Sequence, residues 1–329
     1  MATQRHRLVV TPVRGGRRLL AGKLWLAFAT LLFCGAASAQ ALYKYRGVNG
    51  EWVYTDRAPV EGDPVEIREL PVGMESPDVR ITHTFFDRQI RIEADNEFYA
   101  PVEIIIAIDE LRNVGLPPPD QRLRWVVPPR SKSELMRLDA IADNLAPDVR
   151  YRYVWLPGDP DSEHAPPMAY RAPFAVARNF MISQTFPIAV THTTPESFYA
   201  VDFQMPIGTV VHAARAGIVV EVASSNYRSG TDIERDGAAA NIVRILHDDG
   251  TFAVYAHLNR NTVRVQPGDE VERGEYIADS GNTGFSSGPH LHFVVMRNVG
   301  LRLESVPVVF EGPNSSIVAP ATGAQLTAY

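Results

Sequence analysis

The chain of 329 residues has a single cysteine, Cys34, which excludes internal disulfides and any cluster of thiolate metal ligands. His-Glu-x-x-His is absent, so paired histidines one helical turn apart around a glutamate are excluded. Acid is missing at the start. Residues 1–23 carry Arg5, Arg7, Arg14, Arg17, Arg18 and Lys23 and no Asp or Glu. The apolar run that follows, Leu24–Phe33, is too short to span a bilayer. Ala37-Ser38-Ala39 then supplies a small-x-small cleavage site. This is the pattern of a secretory signal peptide over residues 1–39. Arg17-Arg18-Leu19-Leu20 leaves open which export route reads it. Cys34 lies inside this segment, and Phe33 before it is too bulky for a lipoprotein cleavage box. Cleavage removes six basic residues and no acid, taking the formal charge from −6 to −12. An acidic mature chain argues against nucleic acid or an anionic membrane as main partner. No stable membrane span is expected after cleavage.

What remains reads as mostly β. Residues 40–75 are expected to form a small hairpin module. Leu42–Arg46 and Trp52–Thr55 alternate, and Asn49-Gly50 is a type I′ turn signal. Its pattern is similar to a short module of unassigned function found after the signal peptide of many Gram-negative secreted proteins. Residues 76–185 carry β-branched and aromatic runs, Gln89–Glu93, Val102–Ile108, Leu123–Val127 and Tyr151–Trp155, punctuated by Pro128-Pro129 and Pro157-Gly158. An immunoglobulin-like β-sandwich is expected there; Ser133–Leu138 reads as a short helix or a further strand. Isolated His83 and His164 read as surface residues.

Residues 186–310 are β-rich too, with strands expected at Thr209–Val220, Asn241–Leu246, Thr251–His257 and His290–Met296. Residues 311–329 lose periodicity and read as a loose tail.

Six of the nine histidines fall between His192 and His292. His290 and His292 lie at i and i+2 of a strand, so both imidazoles share one face. They follow the Gly-rich run Ser280–Gly288. Asp202, in Tyr199-Ala-Val-Asp-Phe203, and His257, in Tyr255-Ala-His-Leu258, lie in the same window. Zinc at a catalytic site favours three protein ligands plus water, and His and Asp both suit it. Such a metal acidifies the water and polarises a carbonyl, and further histidines beside it take the proton or stabilise the oxyanion. His212 and His247 read as structural or solvated positions, His247 as a solvated strand end. Ser224–Ala240 is a long polar loop.

Tyr199-Ala-Val-Asp-Phe, Asn241–Ile245, Tyr255-Ala-His-Leu and Ser280-Gly-Asn-Thr-Gly … Gly288-Pro-His-Leu-His-Phe recur in the order of the lysostaphin/LytM-type zinc endopeptidases of peptidoglycan. The section resembles that family over about 110 residues. The resemblance implies a duplicated-hybrid-motif, barrel-sandwich type of antiparallel β fold. It implies that Asp202 and His292 are ligands of Zn2+, and that His257 and His290 are the catalytic histidines. The first ligand departs from the pattern. Many members place it four residues before the Asp, where this chain has Phe198. His192, ten residues before Asp202, is the expected substitute, as in members that bring the histidine from an earlier loop. The implied partners are peptidoglycan peptides, with cell-wall amidases or envelope proteins as further partners, in a Gram-negative periplasm or outside the cell. A catalytically inactive relative that binds cell wall and activates an amidase is the alternative, as is a binding module with a structural metal.

Overall fold

The computed structural model describes residues 40–46, 52–55, 66–70, 77–117 and 123–329. The expected signal peptide over residues 1–39 and the Asn49-Gly50 turn lie outside the described residues. The chain separates into two compact units, one ending at Glu75 and one running from Ser76 to Tyr329. In the first, β1 (Gln40–Arg46) pairs antiparallel with β2 (Trp52–Thr55) on one edge and β3 (Glu66–Leu70) on the other. The sequence pointed to β1 and β2 alone. The third strand matters physically, because an isolated two-stranded hairpin is marginal in water.

The second unit begins with β4 (Val79–Phe86), β5 (Gln89–Asn96), β6 (Val102–Arg112), β7 (Arg124–Val127), β8 (Ser131–Asp139) and β9 (Asp148–Pro157). They form two three-stranded antiparallel sheets, β4-β5-β8 and β7-β6-β9. Ile90, Ile92 and Ala94 on β5, and Val102, Ile104 and Ile106 on β6, are buried at every second position, so each sheet presents one apolar face. The Tyr151 hydroxyl on β9 lies 3.5 Å from the Ile81 carbonyl on β4, a contact between the two sheets. The Ser133–Leu138 segment is a strand.

The rest of the unit contains β10 (Asn179–Gln184), β11 (Val201–Gln204), β12 (Val210–His212), β13 (Gly217–Ala223), β14 (Ser229–Gly230) and a one-turn helix α1 (Ile233–Asp236). Then come β15 (Ile242–Leu246), β16 (Phe252–Ala256), β17 (Glu270–Val271), β18 (Tyr276–Asp279), β19 (Gly284–Phe285), β20 (Leu291–Asn298) and β21 (Leu303–Val306). Short β22 (Phe310–Glu311), β23 (Ile317–Val318) and β24 (Gln325–Thr327) complete it. The main antiparallel sheet runs β17-β13-β15-β16-β20-β11-β10-β24, with β21 also against β20.

Three local readings change here. Thr209–Val220 is two strands: β12 pairs with β18 and β13 with β15, so the chain changes partners at Ala213–Ala216. β10 falls within residues 76–185, yet it pairs with β11 and β24, and its Phe180 and Ile182 belong to the core of the larger sheet. Residues 311–329 contain β24, whose Leu326 is 3% exposed in that same core.

The central strands are apolar on both sides. All five residues of β16 are buried. Tyr255, Phe293 and Val295 enter one core, and Phe252, Val254, Val294 and Met296 enter another on the opposite face. Each such aliphatic or aromatic burial contributes roughly 1.5–3 kcal/mol. Glu103 of β6 is fully buried and accepts from the Asn298 side chain and the Leu301 amide, both at 2.7 Å. Arg124 pairs with its other oxygen. This charged, hydrogen-bonded contact fixes the turn after β20 against β6 and β7.

Candidate metal centre

The register of the large sheet assembles the site. Gln184 of β10 stands opposite Asp202 of β11. Asp202 stands opposite His292 of β20, and His292 opposite Ala256 of β16. Four strands thus contribute one cross-strand row, in which neighbouring side chains meet. The alternation that sends Leu291, Phe293 and Val295 into one core leaves His292 on the face of Val294 and Met296. His257 follows directly after β16.

Asp202 lies at the centre. Its Oδ1 accepts a hydrogen bond of 2.8 Å from His292 Nδ1. Its Oδ2 is 3.2 Å from His192 Nε2 and 3.7 Å from His290 Nε2. His192, Asp202 and His292 are all buried, and each offers a ligand atom within 4.8 Å of the others. Tetrahedral coordination with bonds of 2.0–2.1 Å places donor atoms roughly 3.3 Å apart, and the 3.2 Å between His192 Nε2 and Asp202 Oδ2 lies at that value. The chemistry of the set suits it too, with two nitrogen donors and one carboxylate. Burial pushes the Asp202 carboxyl up, but the surrounding imidazoles outweigh it and hold the acid well below its usual range. Its charge is therefore retained, as a ligand requires. Burial lowers the pKa of His292, against the pull of Asp202.

His257 reaches the cluster through an unusual backbone. Its φ is +61°, a left-handed conformation uncommon for a non-glycine residue and found where structure around it enforces it. Here Nδ1–H donates to the Thr283 carbonyl at 2.6 Å. Thr283 is itself fixed, because its hydroxyl donates to Leu258 O and accepts from the Asn241 amide. The His257 ring lies 4.5 Å from that of His290 and 5.8 Å from that of His292. Burial, then the neighbouring imidazoles, hold its pKa well below the ordinary histidine value. That favours the neutral ring, and with Nδ1–H given to Thr283 O the lone pair is on Nε2. His290 Nδ1–H donates to Gly288 O at 2.8 Å, which presents Nε2 toward Asp202.

All five expected site residues therefore converge. Phe198 does not join them. It is exposed and packs on Phe186 and Tyr199 at ring separations of 5.0 and 5.1 Å. His192 arrives from the loop between β10 and β11. That loop is tied at one end by Pro195 O, which accepts from the Ser305 amide and hydroxyl. No sequence motif pointed to Gln184, which donates to Asp202 Oδ2, or to the carbonyl partners Thr283 and Gly288.

The other histidines stand apart. His212 is half-buried, with Nδ1 2.8 Å from Gly274 O. His247, expected at a solvated strand end, is 3% exposed, because the Arg215–Asp249 ion pair and Tyr170 close over it. His164, expected as an isolated surface residue, is half-buried against the Tyr170 hydroxyl. Residues 224–240 are ordered as a wall beside the Gly-rich run: β14 pairs parallel with β19, and Asp232 caps α1.

Residues 196–303 match Peptidase family M23. They form an M23 peptidase domain. The match takes in Asp202, His257, His290 and His292 and begins after His192. Residues 29–78 match a domain of unknown function (DUF4124). Lysostaphin of Staphylococcus simulans is 42% identical over 101 residues, 30% of this chain and 18% of lysostaphin. The peptidoglycan DD-endopeptidase ShyA of Vibrio cholerae is 34% identical over 119 residues, 35% of this chain and 25% of ShyA. A solved structure of lysostaphin from Staphylococcus simulans is 35% identical and covers 36% of this chain and 43% of that one, at a TM-score of 0.28. The chain thus spans about a quarter or less of the length of these two curated relatives, and the likeness lies in the M23 domain. No helix among the described residues is long and apolar enough to cross a membrane.

Proposed function

We propose that the chain is an exported zinc metalloendopeptidase that hydrolyses peptide bonds in peptidoglycan stem peptides or cross-links. The observation that carries this reading is the convergence of His192, Asp202 and His292 beside two further histidines, His257 and His290. His192, Asp202 and His292 would hold the metal. When bound, zinc supplies a positive charge that acidifies water and polarises a carbonyl.

The chain's own residues do the rest. His257 accepts the proton at Nε2, because Thr283 O fixes Nδ1–H and burial keeps the ring neutral. His290, the less buried of the two, faces the carbonyl oxygen as charge develops there. The wall formed by residues 224–240 and the Gly-rich run borders the substrate on one side. The substrate class is supported by relatives named as peptidoglycan endopeptidases. Export to the periplasm or beyond is supported by the basic, apolar and small-residue segments of residues 1–39.

Purified peptidoglycan digested by the full chain should release stem-peptide fragments, and His292→Ala should release none. Equal muropeptide release by the two would sink the metal mechanism. No release by either, with stimulation of an amidase by both, would favour the activator instead.

A further inference from the structure

We infer that Gln184 is a positioning residue of the metal centre, whose carboxamide fastens the loop carrying His192 to the carboxylate of Asp202. This rests on the metallopeptidase reading above and names what lets a loop histidine serve it. Every hydrogen-bonding position of the Gln184 side chain is used. Nε2 donates to Asp202 Oδ2 at 2.5 Å and to Thr191 Oγ1 at 2.7 Å. Oε1 accepts from the amides of Val190 at 3.0 Å and Thr191 at 3.2 Å. A carboxamide has two donor hydrogens and two acceptor lone pairs, so its orientation is fixed and nothing is left over.

The need for such a clasp follows from His192 itself. A metal-binding histidine is usually oriented by a hydrogen bond from its second ring nitrogen. His192 Nδ1 is buried and has no hydrogen-bond partner. With no bond at Nδ1, the ring depends on packing and on its backbone for its orientation, and the two residues before it are the ones Gln184 holds. The strand register makes the clasp short: Gln184 stands directly opposite Asp202, past an irregularity after Ile182. One side chain thus touches one proposed ligand directly and another through its loop.

The test is Co2+ affinity of the full chain, by competition with a chelator, for wild type, Gln184→Met, His192→Ala and the double variant. Gln184→Met keeps the length and removes all four hydrogen bonds. It should weaken Co2+ binding about 10- to 100-fold, the usual effect of losing an outer partner of a ligand. In the His192→Ala background the same change should cost markedly less, because the loop no longer carries a ligand. Gln184→Glu keeps the acceptor for the two amides and removes the donor to Asp202. It should fall between wild type and Gln184→Met or below both, never at wild type. Wild-type affinity in Gln184→Met, or an equal loss in both backgrounds, overturns the positioning role while leaving the metal site intact. Failure of the unmutated chain to bind Co2+ at all overturns the metallopeptidase reading and this role with it.

Discussion

Lowering the pH from 7 to 5 should destabilise the fold through His247, a residue far from the metal centre. Its Nδ1–H donates to Ala216 O at 2.8 Å, and its Nε2 is buried without a partner. Burial pushes its pKa from 6.5 down to about 4. The Ala216 carbonyl, Asp249 and Asp248 oppose that shift, and Arg215 adds to it. Between those two values the unfolded chain binds a proton that the folded chain refuses. Stability contributed by the neutral ring is therefore complete above about pH 6.5 and declines as the pH falls. With these two pKa values the linkage relation gives a loss of about 2 kcal/mol between pH 7 and 5. Urea unfolding at the two pH values, with chelator present so that metal binding does not enter, measures the loss. His247→Gln keeps a donor for Ala216 and removes the titration. The drop should be smaller in this variant by about 2 kcal/mol. His212, also held at about 4 by burial and Arg171, is common to both proteins and cancels. An identical drop in the two would refute the reasoning. If the variant does not fold, the His247 ring resonances of the wild type give the same answer, and a titration midpoint near 6.5 would overturn it.

Tyr255→Phe should cost about 1–3 kcal/mol, because the buried Tyr255 oxygen accepts the Ala214 N–H at 2.7 Å and its loss leaves that donor unpaired. An unchanged denaturation midpoint would contradict this. His257→Ala should reduce peptide hydrolysis about 100-fold or more while the protein retains its bound metal by elemental analysis. Loss of the metal would instead place His257 among the ligands.

Much of the site was legible because its parts are local. His290-x-His292 shares one strand face by the period of two alone. Asp202 and His257 each sit in a short motif at a strand or its end. The strands around them were visible as β-branched and aromatic runs, although Thr209–Val220 hid a change of partner at Ala213–Ala216. Burial was less legible. His247 beside Asp248-Asp249-Gly250 looks like a solvated turn, and only Tyr170 and Arg215, distant in sequence, close over it. β10 and β24 were misplaced for the same reason, since their partners lie in strands whose order a linear pattern does not state.

The sequence by itself determined the β-rich class, the His-x-His pair, the carboxylate and the neighbouring histidine, because residue type and short-range spacing carry that information. Tertiary structure decided which side chain stands across from which. Sheet order sets Gln184, Asp202, His292 and Ala256 in one row, and it alone turns a loop histidine ten residues from Asp202 into a neighbour 3.2 Å away. Local spacing holds no record of a strand's partner, and the clasp on that loop exists only once β10 lies against β11.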